Sequence, residues 1–116
     1  MNSNHNFKKL ILIDLDGVLN NYKGDYKKDF IHSPKNGVKD FLKNISENYE
    51  IKIFTTRNKM LTTKWLMENK LDIYISDVTN IKENGIYLFV DDRCICFKNN
   101  FKDLEKKIKE FNPYWK

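Results

Sequence analysis

The sequence predicts an α/β fold: a single Rossmann-like, doubly wound and mainly parallel sheet of about five strands, with helices on both faces and no cap domain. Three observations carry this expectation. Short apolar runs alternate with stretches whose apolar residues recur at helical spacing, the order that builds strand-helix-strand units with right-handed crossovers. The first run, Leu10-Ile11-Leu12-Ile13, is continuous rather than alternating, as in a strand buried on both faces. The 116 residues allow one compact domain, residues 1–116, within the usual ~100–150.

In chain order, the polar start Met1 to Asn6 reads as a disordered lead-in, and Leu10 to Ile13 as the central strand. Asp16 to His32, rich in Asn, Tyr, Lys and Asp, reads as an irregular flap over a site. Ser33-Pro34 reads as an N-cap and first helical residue, because proline's missing N–H costs nothing there. Val38, Phe41, Leu42 and Ile45 then give that helix one apolar face. Ile51 to Phe54 is the second strand, Asn58 to Asn69 a helix burying Leu61, Trp65 and Leu66, and Leu71 to Ile75 a weaker third strand. Ile86 to Val90 is the fourth strand and Cys94 to Phe97 a short fifth. Phe101, Leu104, Ile108 and Phe111 form the stripe of a last helix, after which Tyr114-Trp115 packs back onto the sheet.

Composition narrows the function classes. With 41% hydrophobic and 14% aromatic residues the chain can bury a core, which excludes wholesale disorder. No apolar run approaches the ~20 residues that cross a bilayer, and no secretory signal is visible, so the expectation is a cytoplasmic protein without a membrane partner. The net charge of +5 suits a polyanionic partner. The excess is nearly all lysine in a chain rich in Asn and Ile, however, which reads equally as a compositional habit. Cys94 and Cys96 stand one residue apart, too close for an unstrained bridge, and read as reduced core thiols.

In doubly wound sheets ligands bind beyond the carboxyl ends of the strands. There the sequence places Asp14-Leu15-Asp16-Gly17-Val18-Leu19 after the first strand, Thr55-Thr56-Arg57 after the second and Asp91-Asp92-Arg93 after the fourth, with Lys82 in the loop before it. Four aspartates meeting at one edge would repel one another unless a divalent cation and a lysine lay among them. All-oxygen donors point to Mg²⁺, which shares its coordination shell readily with phosphate.

Asp14-x-Asp16-Gly17-Val18-Leu19, then Thr55, Lys82 and Asp91-Asp92, in that order, resembles the four-motif pattern of the haloacid dehalogenase (HAD) superfamily of phosphatases. The likeness spans residues 10–97. Within the superfamily, Thr55-x-Arg57 and the Asp91-Asp92 pair are similar to small capless members such as the phosphatase domain of polynucleotide kinase-phosphatases. The resemblance implies a Mg²⁺-dependent phosphomonoester hydrolase. Asp14 would be the nucleophile that becomes an aspartyl-phosphate, Asp16 the acid and then base, and Thr55 and Lys82 the groups holding the phosphoryl oxygens. Mg²⁺ would lie between Asp14, the Asp16 carbonyl and one carboxylate of Asp91 and Asp92, with Asp92 slightly favoured.

Arg57 and Arg93 are the only arginines, each directly downstream of a motif. Arginine's planar fork suits phosphate, so Arg57 is the candidate substrate grip; the bland reading is an ion pair with a local aspartate. Thr56 is a secondary substrate-binding candidate that could equally serve the backbone turn. Tyr22 and Tyr26 in the flap could stack on a base or sugar. No cap domain fits between the motifs, so selectivity must come from a partner surface, a large substrate or another subunit of a homo-oligomer. That favours a phosphorylated polymer end, such as a nucleic-acid 3′-phosphate, ahead of nucleotides and other small phosphomonoesters. A receiver-like phospho-acceptor with Asp77 after the third strand, or a non-catalytic binding module, is the alternative.

Overall fold

A computed structural model describes residues 7–115; the lead-in Met1–Asn6 lies outside them. The described elements are β1 (Lys9–Asp14), α1 (Val38–Ser46), β2 (Tyr49–Phe54), α2 (Lys59–Glu68), β3 (Asp77–Thr79), β4 (Ile86–Val90) and α3 (Phe101–Glu110). The strands form one parallel sheet in the order β3-β2-β1-β4. The sheet has four strands among the described residues, where the sequence suggested about five. β1, with the longest unbroken aliphatic run, is flanked on both sides, as a strand buried on both faces should be.

Strand alternation sorts the core. Ile11 and Ile13 of β1 and Ile51 and Ile53 of β2 point to one face, where they meet Val38 and Leu42 of α1 and Trp65 and Leu66 of α2 in a single buried cluster. Each such side chain contributes about 1.5–3 kcal/mol when fully buried. On the other face Leu10 and Leu12 are buried, and Phe54 and Phe89 meet edge to face at 5.3 Å. α2 starts at Asn58, whose side chain accepts a hydrogen bond from the Leu61 N–H, and ends at Asn69.

Several expectations are corrected. Leu71 to Ile75 is not a strand: Lys70 turns left-handed at φ 58°, Leu71 is buried, and Asp72–Tyr74 forms a 3₁₀ turn. The third strand is Asp77–Thr79, three residues with one buried valine. Cys94 to Phe97 does not join the sheet. The Asp91 carboxylate accepts the Arg93 N–H at 2.9 Å, an Asx turn that leads the chain off the β4 edge. Cys94 and Cys96 are accordingly free and exposed rather than core residues. Ser33-Pro34 does not start α1. Pro34 bridges antiparallel to Asn20, and the Lys35 N–H donates to Leu19, closing the base of the flap. The chain then turns at Gly37 (φ 85°) into a helix that begins at Val38. The stripe of α3 is not buried, with Phe101 76% and Ile108 57% exposed. Tyr114-Trp115 packs not on the sheet but on the loops that follow β1 and β4.

Strand register positions the site. Asp14 pairs with Phe54, and Ile13 with both Ile53 and Val90. Asp14, Thr55 and Asp91 therefore leave three adjacent strands at nearly one level, at the sheet's carboxyl edge.

Candidate active site

A carboxylate oxygen of each of Asp14, Asp91 and Asp92 lies within 4.8 Å of the other two. Burial pushes the Asp14 carboxyl up from the ordinary 3.8 to about 7, and the nearby charges of Asp91, Asp92 and Asp16 add to the shift. Three converging carboxylates, one of them held toward its neutral form first by burial and then by the charge of the others, are a donor set that fits a hard divalent cation, whose charge would oppose that shift. Asp14, Asp16, Thr56, Asp91 and Asp92 line one cleft of about 240 Å³ with Tyr22, Tyr26 and Arg93.

The turn after β1, Leu15–Leu19, explains its glycine. Gly17 has φ 88°, and a side chain there would run into the Asp92 carboxylate. Its absence lets the loop after β4 close against the loop after β1.

Asp16 is held from two sides. Arg57 Nε donates to its Oδ2 at 2.8 Å, and Asn20 Nδ2 donates to its Oδ1 at 3.0 Å. Asn20 is fully buried, and its own Oδ1 accepts the backbone N–H groups of Gly17 and Tyr22 at 3.0 and 3.1 Å. Sequence reasoning did not single out Asn20. The only signal was a polar residue directly after Val18-Leu19, at a place where the chain must turn.

Arg57, 5% exposed, does more than pair with Asp16. Its Nη1 donates to the carbonyls of Lys27 and Lys28 at 2.8 and 3.3 Å, and its guanidinium lies over the Tyr26 ring at 4.5 Å. It thus ties the flap to the Asp16 carboxylate, and Nη2 is the one buried side-chain nitrogen or oxygen without a hydrogen-bond partner among the described residues. Thr55 is buried, with its Oγ1 accepting the Arg57 N–H at 3.1 Å and its own N–H donating to Thr79 at 2.9 Å. Thr56 is exposed beside it at the cleft. Lys82 is not brought to the cleft wall: its ammonium lies 4.5 Å from the ring centroid of Phe89 and 5.8 Å from that of Phe54. Phe54 is the register partner of Asp14, so Lys82 sits on the sheet face toward which Asp14 alternates. Asp77, the foothold of the receiver reading, opens β3 rather than following it, and its carboxylate pairs with Lys59 at 3.0 Å.

The family model for NLI interacting factor-like phosphatases matches residues 9–112. The chain belongs to that family of HAD-superfamily phosphatases. No curated protein and no solved structure matches it.

Proposed function

We propose that this NLI interacting factor-like phosphatase is a Mg²⁺-dependent phosphomonoester hydrolase that works through an aspartyl-phosphate on Asp14. The observation that carries the reading is the convergence of Asp14 with Asp91 and Asp92 at the open edge of the sheet. A carboxylate oxygen of Asp14 attacks phosphorus, the bond to the leaving oxygen breaks, and Asp16 gives that oxygen its proton. Asp16 then takes a proton from water as the water oxygen attacks phosphorus, which frees Asp14 and releases inorganic phosphate. Asp14, the Asp16 carbonyl and a carboxylate of Asp91 or Asp92 would hold Mg²⁺, which when bound neutralises the carboxylates and the phosphoryl charge. Thr55 and Lys82 are the proposed donors to the phosphoryl oxygens. Lys82 must leave the rings of Phe54 and Phe89 to serve.

The grip of Arg57 on Asp16 supports a positioning role for this proposed substrate-binding residue, which reaches substrate only if the flap over it opens, and Thr56 stands at the cleft as a second substrate contact. Tyr26 and Arg93 on the cleft wall, with Lys23, Lys27 and Lys28 in the flap, suit a substrate that carries rings and further negative charge. A nucleic-acid end or a nucleotide is the proposed substrate class. Among the described residues no helix is long and apolar enough to cross a membrane, and the free thiols of Cys94 and Cys96 suit a reducing cytoplasm. The test is release of phosphate, with and without Mg²⁺, from an aryl phosphate, nucleotides and 3′- or 5′-phosphorylated oligonucleotides. Mg²⁺-dependent turnover of the aryl phosphate that Asp14→Asn abolishes is the expected result. Turnover that survives the substitution overturns the assignment.

A further inference from the structure

The segment after α3 returns to the catalytic edge and touches it with two consecutive side chains. Trp115 Nε1 donates to Asp92 Oδ2 at 2.7 Å, and the Tyr114 hydroxyl donates to the Gly17 carbonyl at 2.5 Å. Lys35 donates to that same carbonyl at 3.0 Å and to the Tyr114 oxygen. The indole is itself fixed. It meets Tyr22 edge to face at 5.9 Å, Arg93 lies 5.4 Å from its centroid, and it fills the space over Gly24, whose φ of 97° and missing Cβ leave room for it.

The chemistry of this contact is directional. An indole N–H donates and cannot accept, so it neither competes for a cation nor changes role with protonation. Its hydrogen bond to a carboxylate is of the charge-assisted kind, shorter and stronger than a neutral one. The oxygen it holds, Oδ2, is also the Asp92 atom nearest the place where Gly17 lacks a side chain. Oδ2 is therefore confined between the Gly17 backbone and the indole, and Oδ1 is the oxygen left to serve a cation.

We propose that Trp115 is a positioning residue of the metal centre: its indole N–H fixes Asp92 Oδ2, so that Asp92, as the ligand of the Asp91/Asp92 pair, offers its other oxygen to a divalent cation shared with Asp14. The inference rests on the reading that these aspartates hold such a cation. Outer-shell partners of this type typically set metal affinity by 10–100-fold.

Direct Mn²⁺ binding, followed by electron paramagnetic resonance, tests it. Trp115→Phe keeps a ring against Gly24 and Tyr22 but loses the donor, and Mn²⁺ should bind it about 10–100-fold more weakly than the wild type. Trp65→Phe loses an indole hydrogen bond of a purely structural kind, to the His32 carbonyl at 3.1 Å. It should lower stability and leave Mn²⁺ affinity unchanged. A second measurement needs no variant to fold. The chain has two tryptophans, and Mg²⁺ titrated into ¹⁵N-labelled wild type should move the indole signal of Trp115 and not that of Trp65. Equal Mn²⁺ affinity in Trp115→Phe and wild type, or a Trp115 signal unmoved at saturating Mg²⁺, overturns the proposal and leaves the metal reading standing. A wild type that binds no Mn²⁺ overturns both.

Discussion

Asp14→Asn should make the metal-free protein more stable while destroying its activity. Asp14 titrates near 7 in the fold against 3.8 ordinarily, and each unit corresponds to about 1.4 kcal/mol. The full shift would be worth about 4 kcal/mol; because the carboxyl keeps partial contact with water, screening reduces this to about 2 kcal/mol. The sign follows from the direction of the shift. A carboxyl whose folded pKa is raised favours the fold at low pH, and that contribution is lost as pH rises from about 4 through 7, where the folded state must finally ionise. An amide never ionises. The advantage of Asp14→Asn should therefore vanish near pH 4 and be complete by pH 8, where it corresponds to a melting temperature about 5–10 °C higher. Thermal melts in EDTA at several pH values measure it. Adding Mg²⁺ at pH 8 should raise the melting temperature of the wild type more than that of the variant, because the ion relieves the repulsion that the amide has already removed. A variant no more stable than wild type at pH 8 in EDTA would refute the reasoning, since Asp14 would then carry no buried, repelled charge.

Arg57→Ala should cost about 3 kcal/mol in urea unfolding, because it strands the Asp16 carboxylate and frees the flap carbonyls of Lys27 and Lys28. Arg57→Lys should recover little of this, as a single ammonium cannot span carboxylate and carbonyls together. Gly17→Ala should cost about 1–3 kcal/mol from its left-handed φ alone, and should weaken Mn²⁺ binding as well by displacing the Asp92 carboxylate. Ca²⁺ in place of Mg²⁺ should lower phosphatase turnover, because it takes more ligands in looser geometry.

β1, β2, β4 and α2 were legible in the sequence because each carries its own signal: an unbroken apolar run in β1 and β4, a short β-branched alternation in β2, and apolar spacing between two asparagine caps in α2. The carboxyl-edge cluster was legible for a related reason. In a parallel sheet in this register, residues that directly follow apolar runs fall side by side, so Asp14 and Asp91 could be placed together without coordinates. What was hidden depends on contacts between distant positions. β3 is three residues long with Val78 alone buried, and it exists because Lys52, Ile53 and Phe54 offer an edge to pair with. Cys94 to Phe97 has strand composition, but the Asx turn at Asp91 takes it away from the sheet. Asn20, and the reach of Tyr114 and Trp115 back to Gly17 and Asp92, leave no local pattern; they are fixed only when the flap and the segment after α3 close over the same edge.

The central claim is that Asp14 carries the phosphoryl group. Rapid acid quenching of a Mg²⁺-dependent turnover of an aryl phosphate, followed by peptide mass spectrometry, tests it most directly, with Asp16→Asn used to slow release. The account predicts one phosphoryl group on the peptide containing Asp14, mapped to that residue, and a larger fraction of it in Asp16→Asn. Phosphate released with the phosphoryl group found on Asp77, Asp91 or Asp92, or on no residue at all, would contradict it.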